Sequence, residues 1–225
     1  MGEHSSEDPV GNTRGMRGRV SITAARGVDP DEFLIALGAD LDALARRDLY
    51  KDRVPVVAPP RADAVHIYPA MYDTSGEWVY VLEDWGMATW FTGYQEVKSM
   101  KPYPDEEILC LTVNRWNLAS LIVHAPGDGH AWQAEFGEDT GCSSALDTAL
   151  REAGAVFPSL PEATEEVVVA YREQHGERLP KAVFTAVGNY CGLSIDQAAV
   201  EAGDLPTVGL EPAETSSTVP AGPHR

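Results

Sequence analysis

The sequence predicts an α+β fold: an antiparallel β-meander of five to six strands, with helices on one face and a helical C-terminal section. Three observations carry this expectation. Between Ile108 and Phe136 three short runs alternate apolar and polar residues, namely Leu109/Leu111/Val113, Leu121/Val123/Ala125 and Trp132/Ala134/Phe136. A period of two is that of a strand with one buried face. Pro126-Gly127-Asp128-Gly129 separates the last two runs, and glycine supplies the positive φ that a reversing chain needs. After Ser143-Ser144 the period becomes helical, through Leu146, Ala149, Leu150 and Ala153, until Gly154.

The remaining elements follow from the same grammar. Val20, Ile22 and Ala24 alternate with Ser21 and Thr23, which predicts a strand over Arg19–Ala25. Asp29-Pro30-Asp31-Glu32 opens a helix: Asp29 caps free amides, Pro30 suits the first turn, and Glu32 stands at capping-box spacing. A charged helix is expected over Asp40–Tyr50, and Pro55, Pro59 and Pro60 then impose a loop. Val65–Tyr72 and Trp78–Glu83 read as a hairpin joined by Asp73-Thr74-Ser75-Gly76, followed by a short strand at Ala88–Phe91 and a loop from Tyr94 to Ile108. Beyond the meander, helices are expected at Pro161–Gln174 and Pro180–Tyr190, and a last one is capped by Ser194 with Gln197 at capping-box spacing.

Composition bounds the rest. With 225 residues and 44% apolar content, the chain suits one domain, assigned to residues 19–205, between a disordered arm at 1–18 and a disordered tail at 206–225. No apolar run reaches the roughly eighteen residues of a membrane span. The first residues lack the apolar core of a secretory signal, which gives a cytoplasmic expectation. Cys110, Cys142 and Cys191 are odd in number and form no Cys-x-x-Cys, which disfavours a disulfide framework or a zinc knuckle. A net charge of −18 disfavours nucleic-acid binding. No cofactor is expected, because no phosphate loop, dinucleotide fingerprint or nucleophile elbow is present.

Several segments, in order, resemble a family of actinobacterial (Streptomyces-type) domains of unknown function. They are Arg26-Gly27-Val28-Asp29-Pro30-Asp31-Glu32-Phe33-Leu34 through Leu37-Gly38-Ala39-Asp40, then Trp78–Trp85 with its Glu83, the run Trp132-Gln133-Ala134-Glu135-Phe136, and the late Ala182–Leu193 helix and turn. The resemblance covers most of residues 19–205 and implies a shared fold and a bacterial intracellular setting. It carries over no activity. Segments 40–64 and 94–107 are particular to this chain.

Three constellations stand out for chemistry. Trp78, Tyr80, Trp85, Trp90 and Tyr94 crowd a short span with Glu83 and Asp84, which can make an aromatic binding surface with an acidic edge or line a pocket where Glu83 serves as acid or base. The bland reading makes most of these rings core residues. His124, Asp128 and His130 flank a hairpin tip and are a conceivable metal-ligand set, although polar residues belong at turns in any case, and no metal is expected. Cys142 precedes a helix start without a designated base. With no catalytic motif present, the expected function is that of a non-enzymatic cytoplasmic interaction or sensor module, such as an immunity or regulatory partner protein. The alternative is a small-molecule enzyme or ligand-binding protein using the aromatic span. The partner, a protein or a small molecule, is not legible in the residues, nor is the oligomeric state.

Overall fold

In the computed structural model, residues 20–40, 68–83, 88–113, 120–157, 164–176 and 178–210 are described. They build one antiparallel sheet of seven strands: β1 (Ser21–Arg26), β2 (Tyr68–Ser75), β3 (Trp78–Glu83), β4 (Glu107–Thr112), β5 (Leu121–Pro126), β6 (Trp132–Glu135) and β7 (Thr207–Leu210). Their spatial order is β6-β5-β4-β1-β3-β2-β7. β1 is therefore central, pairing β3 on one side and β4 on the other, with Ala24 opposite both Tyr80 and Leu109. Among the described residues six α-helices accompany the sheet: α1 (Pro30–Ala36), α2 (Thr89–Gly93), α3 (Ala145–Glu152), α4 (Glu165–Gly176), α5 (Leu179–Cys191) and α6 (Gln197–Ala202). No helix among the described residues is long and apolar enough to cross a membrane.

The helices cover both faces of the sheet. One face presents Ile22, Ala24, Trp78, Tyr80, Leu82, Leu109, Leu111 and Ile122 to Leu146 and Leu150 of α3 and to Val183, Ala186 and Val187 of α5. The other presents Ala25, Val79, Val81, Ile108, Cys110 and Val123 to Phe33 and Leu34 of α1 and to Trp90 of α2. This corrects the one-face expectation. The reason is visible in the strands themselves: every residue of β3 and of β4 is buried, so their runs WVYVLE and EILCLT are apolar in both phases. The strand count is seven rather than five to six, because Thr207–Leu210, assigned by composition to the tail, pairs with β2.

Local signals decide most boundaries. Asp29 caps α1 by accepting the N–H groups of Asp31 and Glu32. Ser144 and Asp147 form a reciprocal capping box on α3. At α6 the cap is Asp196 rather than Ser194. Ala88–Phe91 is not a strand: Thr89–Gly93 is helical, and the β2–β3 turn is shorter than expected, with Gly76-Glu77 between strands that extend through Ser75 and from Trp78. The register of β6 is as the alternation implied, with Ala134 buried and Gln133 and Glu135 exposed. Trp132, expected in the core, is instead 40% exposed, because β6 is an edge strand and Trp132 stands at its outer end. The expected helix Asp40–Tyr50 lies outside the described residues.

Covering both faces makes each layer structural. Leu34→Ala in α1 and Leu150→Ala in α3, both fully buried, should each lower the unfolding free energy by about 2–5 kcal/mol. Urea titration of the two variants checks this, and a loss under about 1 kcal/mol for Leu34→Ala would mean that α1 is peripheral.

Candidate functional site

At one end of the sheet, beneath the C-terminal turn of α5, three strands and a helix bring charged groups together. Arg26 is the last residue of β1 and Glu107 the first of β4, and the two are paired in register. His124 lies on β5 and Tyr190 in the last turn of α5. Strand alternation puts Arg26, Glu107 and His124 on the same face as Leu109, Leu111 and Ile122. The turn after β1 closes tightly against the approach to β4. Gly27 there has φ +81, and a Cβ would stand 2.6 Å from the Asp105 carbonyl oxygen.

Glu107 is the centre of the arrangement. It is 4% exposed. Its Oε1 accepts the Tyr190 hydroxyl at 2.5 Å and His124 Nε2 at 2.9 Å, while its Oε2 accepts a guanidinium N–H of Arg26. Arg26 lies over the Trp78 ring, 5.2 Å from its centroid, and Trp78 and Tyr190 meet edge to face at 6.4 Å. Since the ionised carboxylate accepts from Nε2, that nitrogen of His124 carries a proton. Nδ1 is enclosed and has no partner among the described residues.

The electrostatics follow from this geometry. Burial pushes the Glu107 carboxyl up, but the hydrogen bonds from His124 and Tyr190 and the charges of Arg26 and His124 outweigh it and hold the group below its ordinary value. The same contacts act in reverse on their partners. Burial, and then Glu107, raise the Tyr190 phenol. Burial, with Glu107 adding to it, pushes the neighbouring Cys191 thiol up to about 12. The corner therefore holds an ionised carboxylate, a protonated phenol and a protonated thiol.

The residues singled out in the sequence do not come together in this way. The sheet splits the aromatic span: Trp78 and Tyr80 face α5, while Trp90 and Tyr94 stack on the opposite side, 4.8 Å between ring centroids. Trp78, Tyr80 and Trp90 are buried, and the Trp90 indole N–H donates to the Met100 carbonyl, so these rings are core, not a shared surface. Glu83 is fully buried. Its two oxygens accept the Thr89 backbone N–H at 2.8 Å and the Thr89 hydroxyl at 2.6 Å, which supplies the cap that Ala88 cannot give α2. Asp84 and Trp85 lie outside the described residues. His124 turns inward to Glu107, whereas His130 is exposed at the hairpin tip beside Asp128, so the three do not converge. No group of three His, Cys, Asp or Glu suited to a metal ion occurs among the described residues. Cys142 sits beside Asp147 and Thr140, with its sulfur in contact with both. Cys110 is pushed up to about 12 by burial.

Sequence reasoning missed Arg26, Glu107 and Tyr190. A usable signal was present, since Glu107 falls in phase with Leu109 and Leu111, and His124 in phase with Ile122. An acid and an imidazole on the inward phase of adjacent strands demand partners. No protein family, curated protein or solved structure matches the chain, so the geometry of the corner carries the functional argument. Replacing Glu107 by alanine leaves the Tyr190 hydroxyl and the His124 N–H without their acceptor, and should cost about 2–4 kcal/mol of unfolding free energy. Chemical denaturation checks it, and a cost below about 0.5 kcal/mol would show that water substitutes freely for the carboxylate.

Proposed function

We propose that this protein acts by binding rather than by catalysis, as a recognition or sensor module whose contact surface is the sheet end around Arg26 and Trp132. The observation behind this reading is the engagement of Glu107 on both of its oxygens. They accept from Arg26, His124 and Tyr190, and Nδ1 of His124, without a partner among the described residues, is enclosed. An acid–base catalyst needs a group that can take or give a proton at the substrate. Here the Tyr190 phenol and the Cys191 thiol are held protonated, and the carboxylate is engaged on both oxygens.

What the corner offers outward suits recognition. The Arg26 side chain is 46% exposed. Pinned by Glu107 and stacked on Trp78, its guanidinium is already ordered, so that a contact to its outer N–H edge loses little rotamer freedom. On the same face of the sheet, Trp132 is paired with His124 across β5 and β6, and presents indole surface of the kind that anchors interfaces. Asp105 and Asp128 are exposed on the adjoining loops, and the whole chain carries −18. A protein partner with a basic surface and a carboxylate or aromatic group for Arg26 and Trp132 fits this chemistry, as in a regulatory or immunity pair.

The test is capture of partners from native lysate by wild type and by an Arg26→Glu/Trp132→Ala variant shown by circular dichroism to be folded. The partner recovered with wild type should fall on the order of tenfold or more with the variant. Equal recovery would place the surface elsewhere. Conversion of a small molecule by wild type, lost in Glu107→Gln, would establish an enzyme instead.

A further inference from the structure

We propose that Glu107 and Tyr190 form an acid-labile latch, which holds the C-terminal helical layer on the sheet and releases it, with the opposite layer still in place, when the carboxylate takes up a proton. This goes beyond the binding reading and does not depend on it. The sheet divides the interior into two separate cores, and α3, α5 and α6 belong to one while α1 and α2 belong to the other. Among the described residues, the polar joint between the first layer and the sheet is the hydroxyl of Tyr190 on Glu107, supplemented by the exposed Ser75 hydroxyl on the Gly192 carbonyl at the end of α5.

The groups facing Glu107 are Arg26 from β1, His124 from β5, and Tyr190 and Cys191 from α5. Both carboxylate oxygens already receive donors. A carboxylic acid would bring an O–H among the N–H and O–H groups that converge on Glu107, and would accept from them less strongly than the carboxylate does. Arg26 is half exposed and can turn into water, but that removes the charge that favours the ionised form.

The direction of the pH effect follows from the carboxyl alone. With the layer closed, Glu107 titrates below its ordinary value of 4.5, and with the layer open it returns toward that value. The contribution of Glu107 is therefore complete above about 4.5 and is lost as the pH falls from there toward the lowered value of the closed form. One proton taken up on opening makes the opening equilibrium rise by at most about tenfold per pH unit.

Hydrogen exchange between pH 6 and pH 3, corrected for intrinsic rates, tests the latch in wild type, Glu107→Gln and Tyr190→Phe. In wild type the amides of 179–191 and 145–152 should open up to about tenfold more per pH unit below 4.5, while those of 30–36 and of β3 change less. Glu107→Gln keeps an oxygen for the Tyr190 hydroxyl and turns its amide toward the half-exposed Arg26. It should fold and show a flattened profile. Tyr190→Phe, which removes the joint but keeps the ring, should lower the slope as well. Asp147, the buried carboxylate of the α3 capping box, is present in all three proteins, so the difference between them reads Glu107. Coincident profiles in wild type and both variants, or simultaneous opening of both layers in wild type, would overturn the latch.

Discussion

Glu107 is a carboxylate carried into a protein interior, where losing its water is costly unless other groups replace that water. Three do, and each comes from a different element: Arg26 from the central strand, His124 from the strand on the other side of Glu107, and Tyr190 from the helix above. The joint therefore fixes more than itself. A one-residue slip of β4 against β1 would move Glu107 to the opposite face, among Ala25, Val79 and Val123, where none of these donors can reach it. The pairing of Arg26 with Glu107, and of Glu107 with Pro126, is thus specified by charge as well as by apolar alternation. The helix is specified with them, because its last turn must deliver a hydroxyl to a carboxylate that would otherwise be left short of a donor.

The architecture separates support from display. Both sheet faces are covered, so the middle strands are apolar in both phases and offer nothing to a ligand. Polarity collects at the strand ends, where β1, β4 and β5 meet the last turn of α5. The buried carboxylates elsewhere serve local structure. Glu83 caps α2, and Asp147 accepts the backbone and hydroxyl of Thr140 and the Ser144 N–H to anchor α3. Burial raises Asp147 and those donors lower it further still, leaving it below its ordinary value. Among the described residues, only at the Glu107 corner does a buried acid join a half-exposed cation while an exposed indole stands on the neighbouring strand, which is why recognition is assigned there.

How much of this could be read from the residues depends on the range of the signal. Caps and turns are local, and so Asp29, Ser144 and Gly192 were legible, as was the alternation of the meander. The two-sided covering of the sheet was harder to see, since Ile108, Cys110 and Thr112 on the second phase of β4 look like ordinary strand filler until α1 is known to lie over them. Ala88–Phe91 was misread because its aromatic residues favour strands, while the cap that makes it helical comes from Glu83, six residues before Thr89. Glu107 stands at the end of Asp105-Glu106-Glu107, and acids in a row read as solvated loop. Its partners are 81, 17 and 83 residues away in sequence. A contact of that range is set by topology, and topology is what local pattern does not carry.

The central claim is that Glu107 and Tyr190 are energetically joined and not merely adjacent. A double-mutant cycle with Glu107→Gln and Tyr190→Phe, followed by chemical denaturation at pH 7, measures that joint directly. A hydroxyl on a buried, ionised carboxylate should give a coupling energy of about 1–3 kcal/mol. A coupling within about 0.3 kcal/mol of zero would contradict the account, because the helix would then be held to the sheet by apolar contact and the exposed Ser75 hydrogen bond alone.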